Sequence, residues 1–481
     1  MALVAGSEPR LTGDGPEYVA QSLRLSAFHL PPVPDPELGA VNAAVFDGYA
    51  LEQNTLERID EYPNLVDSTG QWTWPRQGLR HWPHFWLYSL AAVPFIWVTR
   101  LLGVGHLWAF TTANVLLLVG AFWVVSATMR WPAMLLLFVG PIIWWVDKAH
   151  TEVMTFALMS GALALAAGRP WWSFVMLGAA AAHNSFLAAG IPLLWAAATL
   201  ERPQLLRDGR AWRGLAAGLA LTLLKPAYNL WQIGVAEPQT LAGGTHFHIP
   251  TVGEVGALVW DPNIGLLQGV PVLLVVVLVA TVRVLLRAPA LLRSPWPWAA
   301  SAFALTILVS AAQTTNMNSS ATPSMSRYAL MLIPLAIPLL VTAQLTLGGR
   351  WEAVLIPLAV VSVVYELANY HPRLEVSYLR PTRLADFLWS NHPNLYNPPF
   401  EVFFDRISHV DGGLVHRLPS IGTPTCSKVL LREGRWPSAC SSDVVPPPSC
   451  RRPDHYCYAN REGETYHFVE AAPHYSPLLT K

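Results

Sequence analysis

Through its middle, the chain alternates long apolar runs with short polar breaks, and it is polar and irregular at both ends. A helix needs about 20 mostly apolar residues to cross a bilayer core. Runs of that kind follow one another at 84–102, 106–127, 132–146, 152–167, 171–183, 185–199, 213–231, 264–286, 296–313, 328–346 and 351–369. The pattern predicts an all-α polytopic membrane protein with roughly ten or eleven membrane helices. Segments 132–146 and 152–167 are short enough to be half-helices. Segments 171–183 and 185–199 are two short helices or one kinked helix. Residues 1–83 form a polar, acidic and Pro-rich region, 84–369 the membrane region, and 370–481 a second polar region. No internal repeat of fixed period is visible.

Arginine placement orients the bundle, because positive charge in short loops stays cytoplasmic. Arg202, Arg207 and Arg210 fall in loop 200–212, Arg287 and Arg293 in loop 287–295, and Arg350 in loop 347–350. Two helices separate each loop from the next, so all three share the cytoplasmic side. Loops 232–263 and 314–327 and everything after residue 370 then lie outside. The early chain is ambiguous. If 84–102, 106–127 and 132–146 all cross, residues 1–83 and Asp147–Glu152 fall on opposite faces. If one of them is interfacial or re-entrant, they share a face.

Composition adds weight to the membrane reading. Charged residues make up 13% of the chain, about half of the 25% usual in soluble domains. The 31 basic and 31 acidic residues balance, and no basic tract alternates with aromatics, so nucleic acid is not an expected partner. No signal peptide is visible at Met1. The four cysteines, Cys426, Cys440, Cys450 and Cys457, all lie in the last region, without a Cys-x-x-Cys pair. That spacing argues against a zinc site and fits two disulfides of undetermined connectivity in an extracytoplasmic domain. The alternative is four free thiols in a reducing compartment.

Several polar clusters are candidates for chemistry. Gly13-Asp14-Gly15-Pro16-Glu17-Tyr18 presents two carboxylates at a turn, in a site or in a solvated loop. Arg80-His81-Trp82-Pro83-His84-Phe85-Trp86 fits an interfacial belt. Asp147-Lys148-Ala149-His150-Thr151-Glu152 puts four ionisable groups between apolar runs, as a site or an ordinary loop. Thr245-His246-Phe247-His248 lies in an outer loop. Arg327 in Ser326-Arg327-Tyr328 is placed to hold phosphate or to anchor an interface. Lys225 and Asn229 fall inside an apolar span, where Lys225 can snorkel to a surface.

In their order along residues 11–370, these elements resemble the GT-C superfamily. These are polytopic membrane glycosyltransferases that use polyprenyl-phosphate sugars, here most like bacterial mannosyl- and arabinosyltransferases. Gly13-Asp14 through Tyr18 resembles the acidic first outer loop of the family, and His81-Trp82-Pro83-His84-Phe85 its Pro-containing approach to a helix. Glu152-Val153-Met154-Thr155-Phe156-Ala157-Leu158 is similar to its second acidic element. Asp261-Pro262-Asn263-Ile264-Gly265-Leu266 and Ser326-Arg327-Tyr328-Ala329-Leu330 resemble two further outer-face elements.

The resemblance implies a GT-C-like helical bundle with both acidic elements on the outer face, and hence one incomplete early span. It implies inverting transfer of a hexosyl or pentosyl group to a glycan, lipid or protein acceptor at the cell envelope of a bacterium. Asp14 is then the expected base. Glu152 is the second acid, a metal ligand or an orienter of the acceptor. Arg327, with His150 and His246 behind it, is expected to bind the donor phosphate. Metal dependence varies in the family, so a divalent metal at Asp14 and Glu152 stays open. Members begin with a membrane helix before the acidic loop, and this sequence does not; a further apolar helix upstream of Met1 is the expectation. A transporter and a non-catalytic scaffold displaying the C-terminal region are the competing classes.

Overall fold

Gly13 takes a left-handed conformation in the turn that starts the first helix, α1 (Gly15–Ser26). Pro16 suits the first turn, where its missing N–H has no helical partner anyway. Asp14 sits at the N-cap, but its side chain makes no capping bond there, which leaves the carboxylate for tertiary partners. In this computed structural model the described residues are 8–46, 79–82, 84–238, 249–314, 317, 322, 324–372, 378–410, 418–453 and 455–471.

A short helix α2 (Leu38–Phe46) follows. Strand β1 (Val33–Pro34) pairs antiparallel with β2 (Leu79–Arg80), which carries His81–Trp86 to the side of α1. Helix α3 (Leu87–Leu101) then lies along α1. Ser22 Oγ donates to the Ser89 carbonyl at 3.0 Å, and Ser89 Oγ to Gln21 Oε1 at 2.8 Å. Trp97 Nε1 donates to the Ser26 carbonyl at 2.9 Å.

The helical region continues with α4 (Leu107–Ser126), α5 (Trp131–Phe138), α6 (Glu152–Leu165), α7 (Pro170–Ala181), α8 (Gly190–Glu201) and α9 (Gly209–Ile233). Next come α10 (Val252–Trp260), α11 (Leu266–Gly269), α12 (Pro271–Arg287), α13 (Pro295–Ala311), α14 (Ala336–Leu347) and α15 (Gly349–Tyr370). Among the described residues, three stretches are long and apolar enough to cross a membrane: Leu107–Ser126, Ala329–Leu347 and Trp351–Tyr370. Leu87–Leu101, Glu152–Leu165, Ser185–Glu201 and Pro295–Ala311 are apolar but shorter. Leu116, Val119, Trp123, Leu278, Val282, Val360 and Val364 face outward, as lipid contact requires. Segment 171–199 is two elements, α7 and the run Ser185–Glu201, separated by a break at 182–184.

Contacts place the two halves of α4 against different parts of the fold. Beyond its last turn, the Arg130 N–H donates to Gln344 Oε1 at 2.9 Å, and the Arg130 side chain pairs with Glu352. That end therefore sits at the α14–α15 turn, the side of Arg350. Nearer its start, Asn114 meets the loop 145–148, the side of His150 and Glu152. Helix α3 leaves His84 on that same side and reaches the start of α4 through a five-residue turn. The start of α3 and the first half of α4 thus meet beside this loop, where Tyr88 Oη donates to Asn114 Oδ1. Segment 131–146 is an eight-residue α5 followed by a 3₁₀ turn, Pro141–Trp145. Eight residues rise about 12 Å, and the 3₁₀ turn carries the chain on to the loop at Asp147.

The C-terminal region is a small α+β unit. Helices α16 (Arg383–Asn391) and α17 (Phe400–Ser408) cover an antiparallel sheet of order β3-β4-β5-β6. Its strands are Ile421–Gly422, Lys428–Arg432, Tyr456–Glu462 and Thr465–Glu470. Trp389, Phe403, Leu430 and Tyr458 fill its core. Disulfides join Cys426 to Cys440 and Cys450 to Cys457.

The Asp261-Pro262-Asn263 run ties this unit to the helical region. Tyr396 Oη donates to Asp261 Oδ1 at 2.7 Å. The Thr382 N–H donates to Asn263 Oδ1 at 3.0 Å, and Arg406 Nη2 to the Asn263 carbonyl at 3.3 Å. Burial pushes the Asp261 carboxyl up to about 6 despite these bonds. The run is thus an anchor for the C-terminal unit.

Candidate functional site

Asp14, at the start of α1, meets side chains from three distant parts of the chain. Arg327 Nη1 lies 3.2 Å from Asp14 Oδ2, His150 Nε2 3.4 Å and His84 Nε2 3.6 Å from the same oxygen. Glu152, at the first turn of α6, pairs with His150 Nδ1 and stands 4.0 Å from Arg327 Nη1. Glu17, one turn along α1 from Asp14, accepts from the His84 N–H at 2.9 Å and pairs with His84 Nδ1 at 2.8 Å. Three carboxylates and three basic side chains therefore form one network. It joins α1, the 81–86 segment, the start of α6 and the loop before α14.

Local structure holds each member. Asn114, buried in α4, donates to the carbonyls of Val146 at 3.2 Å and Lys148 at 2.9 Å and accepts from Tyr88 Oη at 3.0 Å. It fixes the loop that carries His150. Tyr18 packs edge-on against His150 and Tyr88, and Trp145 lies against the other side of His150, 4.8 Å between centroids. Ser326 locks the Arg327 loop: its N–H donates to the Ile264 carbonyl at 2.8 Å, and its Oγ to the Met317 carbonyl at 2.7 Å. Arg327 Nη2 donates to Tyr328 Oη at 3.3 Å. Arg327 Nε is buried without a partner among the described residues, so this guanidinium retains an unused donor.

The electrostatics follow from the packing. Burial alone would raise the Asp14 carboxyl, but His84, His150 and Arg327 together hold it well below the usual carboxylate range. Burial raises Glu17 in spite of His84. Burial alone would lower His150, yet Glu152 and Asp14 raise it. Asp14 is therefore an anion with part of its side chain, 23%, exposed. Glu17 is fully enclosed at 0%, so of the two carboxylates on α1 it is Asp14 that a ligand can reach.

The chain matches no family model, no curated protein and no solved structure.

The sequence-derived candidates divide. Asp14, Glu152, Arg327 and His150 come together. His246 and its Thr245–His248 run lie outside the described residues. Asp147 and Lys148 do other work: Lys148 Nζ donates to Asp147 Oδ1 at 2.8 Å and to the Trp144 carbonyl at 2.6 Å, and Arg10 Nε to Asp147 Oδ2 at 3.3 Å. They staple the segment at Arg10, ahead of α1, to the 147–150 loop. Lys225 pairs with Glu237 at 2.9 Å. Two members were readable only as something else. His84 looked like belt, and Asn114 is the lone amide of an apolar run, a signal that usually means a partner inside the bundle.

Among the described residues no group of three or more His, Cys, Asp or Glu side chains is disposed to hold a metal ion. Asp14 Oδ2 already faces a guanidinium and two imidazoles. A divalent cation does not fit that donor set without displacing Arg327. Chemically, the arrangement offers a reachable carboxylate, a guanidinium with donor capacity left, and a His150–Glu152 pair between them.

Proposed function

We propose that the chain is a multi-pass glycosyltransferase of the GT-C kind in a bacterial plasma membrane, spanning it with roughly ten or eleven helices. It transfers a hexosyl or pentosyl group from a polyprenyl-phosphate donor to an acceptor hydroxyl at the outer face. The observation that carries this reading is the contact of Arg327 with Asp14 and its approach to Glu152.

In the reaction, the acceptor oxygen forms a bond to the anomeric carbon as the bond from that carbon to the phosphate oxygen breaks. Asp14 takes the acceptor proton as general base. The electron pair leaves with the phosphate, whose growing charge falls to Arg327 through bidentate donation. His150 and Glu152 orient the acceptor and hold the guanidinium. In-line attack inverts the anomeric centre.

The test is sugar transfer in membranes containing the protein, from a panel of polyprenyl-phosphate hexose and pentose donors, with the product anomer assigned by NMR. No transfer from any donor, or a retained configuration, sinks the proposal.

A second reading, transport, has one observation in its favour. Glu366 is buried in α15, and neither carboxyl oxygen has a partner among the described residues. Ionisable groups inside membrane helices often mark a transport path. Substrate uptake into proteoliposomes that is lost in Glu366→Gln and kept in Asp14→Asn would favour that reading over transfer.

A further inference from the structure

Far from the charged network, three loops bring arginines together around the start of α9. Arg210 and Arg213 lie in its first turns, and Arg202 and Arg207 in the 3₁₀ turn just before it. The loop ahead of α7 adds Arg169, because α7 and α9 run side by side: a Cβ on Gly214 would fall 2.4 Å from the Trp171 Cα. The loop ahead of α13 adds Arg293. Just after it, Trp296 packs beside Ala198, Leu205 and Ala211, and its Nε1 donates to Glu201 Oε2 at 2.6 Å. At the other end of α9, Tyr228 meets Phe85 and Trp86 next to His84. From Arg210 to Tyr228 a helix rises about 27 Å, close to the ~30 Å of a bilayer core. The arginines and the Asp14 network therefore lie at opposite ends of the helical region.

The charge at this end is not neutralised. Segments 166–171, 200–213 and 288–296 hold six arginines and two carboxylates, Glu201 and Asp208. Glu201 is engaged by Trp296, and Asp208 accepts from the Arg210 N–H at 2.8 Å to cap α9. Among the described residues, none of the six arginines pairs with a carboxylate. Arg169, Arg207, Arg210, Arg213 and Arg293 are exposed. Arg202 is half-buried, with Nε and Nη2 enclosed, so it adds charge rather than a contact. Exposed apolar side chains stand among them: Trp172, Leu206 and Trp212. Trp212 is held there by Trp195, 4.9 Å between ring centroids, and by donation from its Nε1 to the Leu206 carbonyl at 2.9 Å. Tryptophan so placed marks the headgroup level of a bilayer. Cytoplasmic loops are commonly positive. That rule does not supply the convergence of three loops, unpaired, around a fixed tryptophan. A phospholipid matches both halves of the surface, with phosphate against guanidinium and acyl chain against Leu206 and Trp212.

We propose that this patch binds anionic phospholipid of the cytoplasmic leaflet, with Arg169, Arg210 and Arg213 on the phosphodiester and Leu206 and Trp212 against the acyl chains. The proposal needs the membrane reading of the chain and not the transferase reading. It also gives the lipid a structural task. Helices α7 and α9 touch backbone to backbone at Gly178 and Gly218, and a phosphate shared by Arg169 and Arg210 clamps the same two helices at their cytoplasmic ends.

The experiment uses the full chain purified in detergent. It is equilibrated with an equimolar mixture of phosphatidylglycerol and phosphatidylcholine of identical acyl chains, and bound lipid is counted by native mass spectrometry. Wild type should retain phosphatidylglycerol in preference. Each basic residue near a membrane surface contributes roughly fivefold to anionic-lipid binding. Arg169→Gln, Arg210→Gln and Arg213→Gln combined should therefore cut the preference by about tenfold or more, and Arg210→Gln alone by about fivefold, which keeps the question answerable if the triple variant folds poorly. Phosphatidylglycerol should raise the unfolding midpoint of wild type and leave that of the triple variant unchanged. Arg451→Gln with Arg452→Gln, exposed on the C-terminal unit, should keep the wild-type preference. Equal retention of the two lipids by wild type overturns the proposal, and so does an equal loss of preference in the Arg451 and Arg452 pair. Displacement of phosphatidylglycerol by inorganic phosphate alone would assign the patch to soluble anions and overturn it as well. None of these outcomes depends on whether a sugar donor is turned over.

Discussion

Arg327 and Asp14 are 313 positions apart in the chain, and a guanidinium nitrogen of the first lies 3.2 Å from a carboxylate oxygen of the second. This contact holds the proposed base and the proposed phosphate anchor together before substrate arrives. A carboxylate so paired is a weak base. A donor phosphate that draws Arg327 away would raise the proton affinity of Asp14 at the moment the acceptor needs it.

Asp14→Asn removes the base while keeping the side-chain shape. General-base catalysis contributes roughly 100- to 10,000-fold, so transfer should fall by about that much, with membrane insertion and folded yield unchanged. Wild-type turnover in this variant would move the base to another group. Glu17 is the nearest carboxylate, although its enclosure beside His84 leaves a substrate no direct approach.

Arg327→Lys keeps the charge but loses the planar fork. A hydrogen bond to a charged group contributes about 1.5–3 kcal/mol, so the donor KM should rise by about 10- to 100-fold. The acceptor KM should stay put. Equal rises in both constants would mean that Arg327 shapes the site rather than holding the phosphate.

His84 makes stability depend on pH. Burial alone would lower its pKa, but Asp14 and Glu17 outweigh burial and raise it from 6.5 to about 9. A group raised in the folded state adds stability that is complete below its unfolded value and is lost as pH rises through its folded value. The midpoint of thermal unfolding in detergent should therefore fall between pH 6.5 and pH 9, and His84→Gln should flatten that slope. A midpoint that rises over this window in wild type would contradict the ion pairs at His84.

How much of this was legible in the sequence varied with the kind of signal. Glu152 and Arg327 stood out because charge is rare between long apolar runs, whereas Asp14, in the polar first region, was marked only by its Gly- and Pro-flanked turn and by the order of elements that links the three. His84 did not stand out, since Trp and His at a helix entry read first as an interfacial belt. The run Asp147–Glu152 was visible as one cluster, yet its members part ways: His150 and Glu152 face Asp14, while Asp147 and Lys148 hold the segment at Arg10. Hydropathy alone could not order the early helices across a membrane, because an apolar interfacial helix and a short span have the same pattern. The cysteines gave two disulfides without their pairing, which joins neighbours along the chain, Cys426 with Cys440 and Cys450 with Cys457.

Helix packing was less legible still. Gly214 and Gly218 of α9 sit four residues apart, and a Cβ on Gly218 would collide with the Phe174 backbone of α7. A Cβ on Gly178 of α7 would in turn meet the Gly218 carbonyl. Small residues at this spacing let membrane helices approach backbone to backbone. Gly218→Ala must push α7 and α9 apart or strain both, at about 1–3 kcal/mol. Its unfolding midpoint in detergent should drop, and Asn229 and Tyr228 further along α9 should shift with it. An unchanged midpoint would show that the two helices are less closely packed than the glycines imply.

Glu366 tests the bundle from the opposite direction. Ser362, Glu366 and Tyr370 follow at four-residue intervals on one buried face of α15, and none of their side-chain oxygens has a partner among the described residues. An unsatisfied buried polar group costs free energy that an apolar group of similar size does not. Glu366→Leu should therefore fold with an unfolding midpoint equal to or above that of wild type. Glu366→Lys should lose folded protein, because among the described residues no carboxylate is paired with this position to meet the new charge. If Glu366→Leu is instead the damaging change, the carboxyl has a partner that stabilises the native bundle, such as bound water or an ion. In that event proteoliposome uptake becomes the next measurement, because a buried carboxyl retained for a ligand is what the transport reading requires.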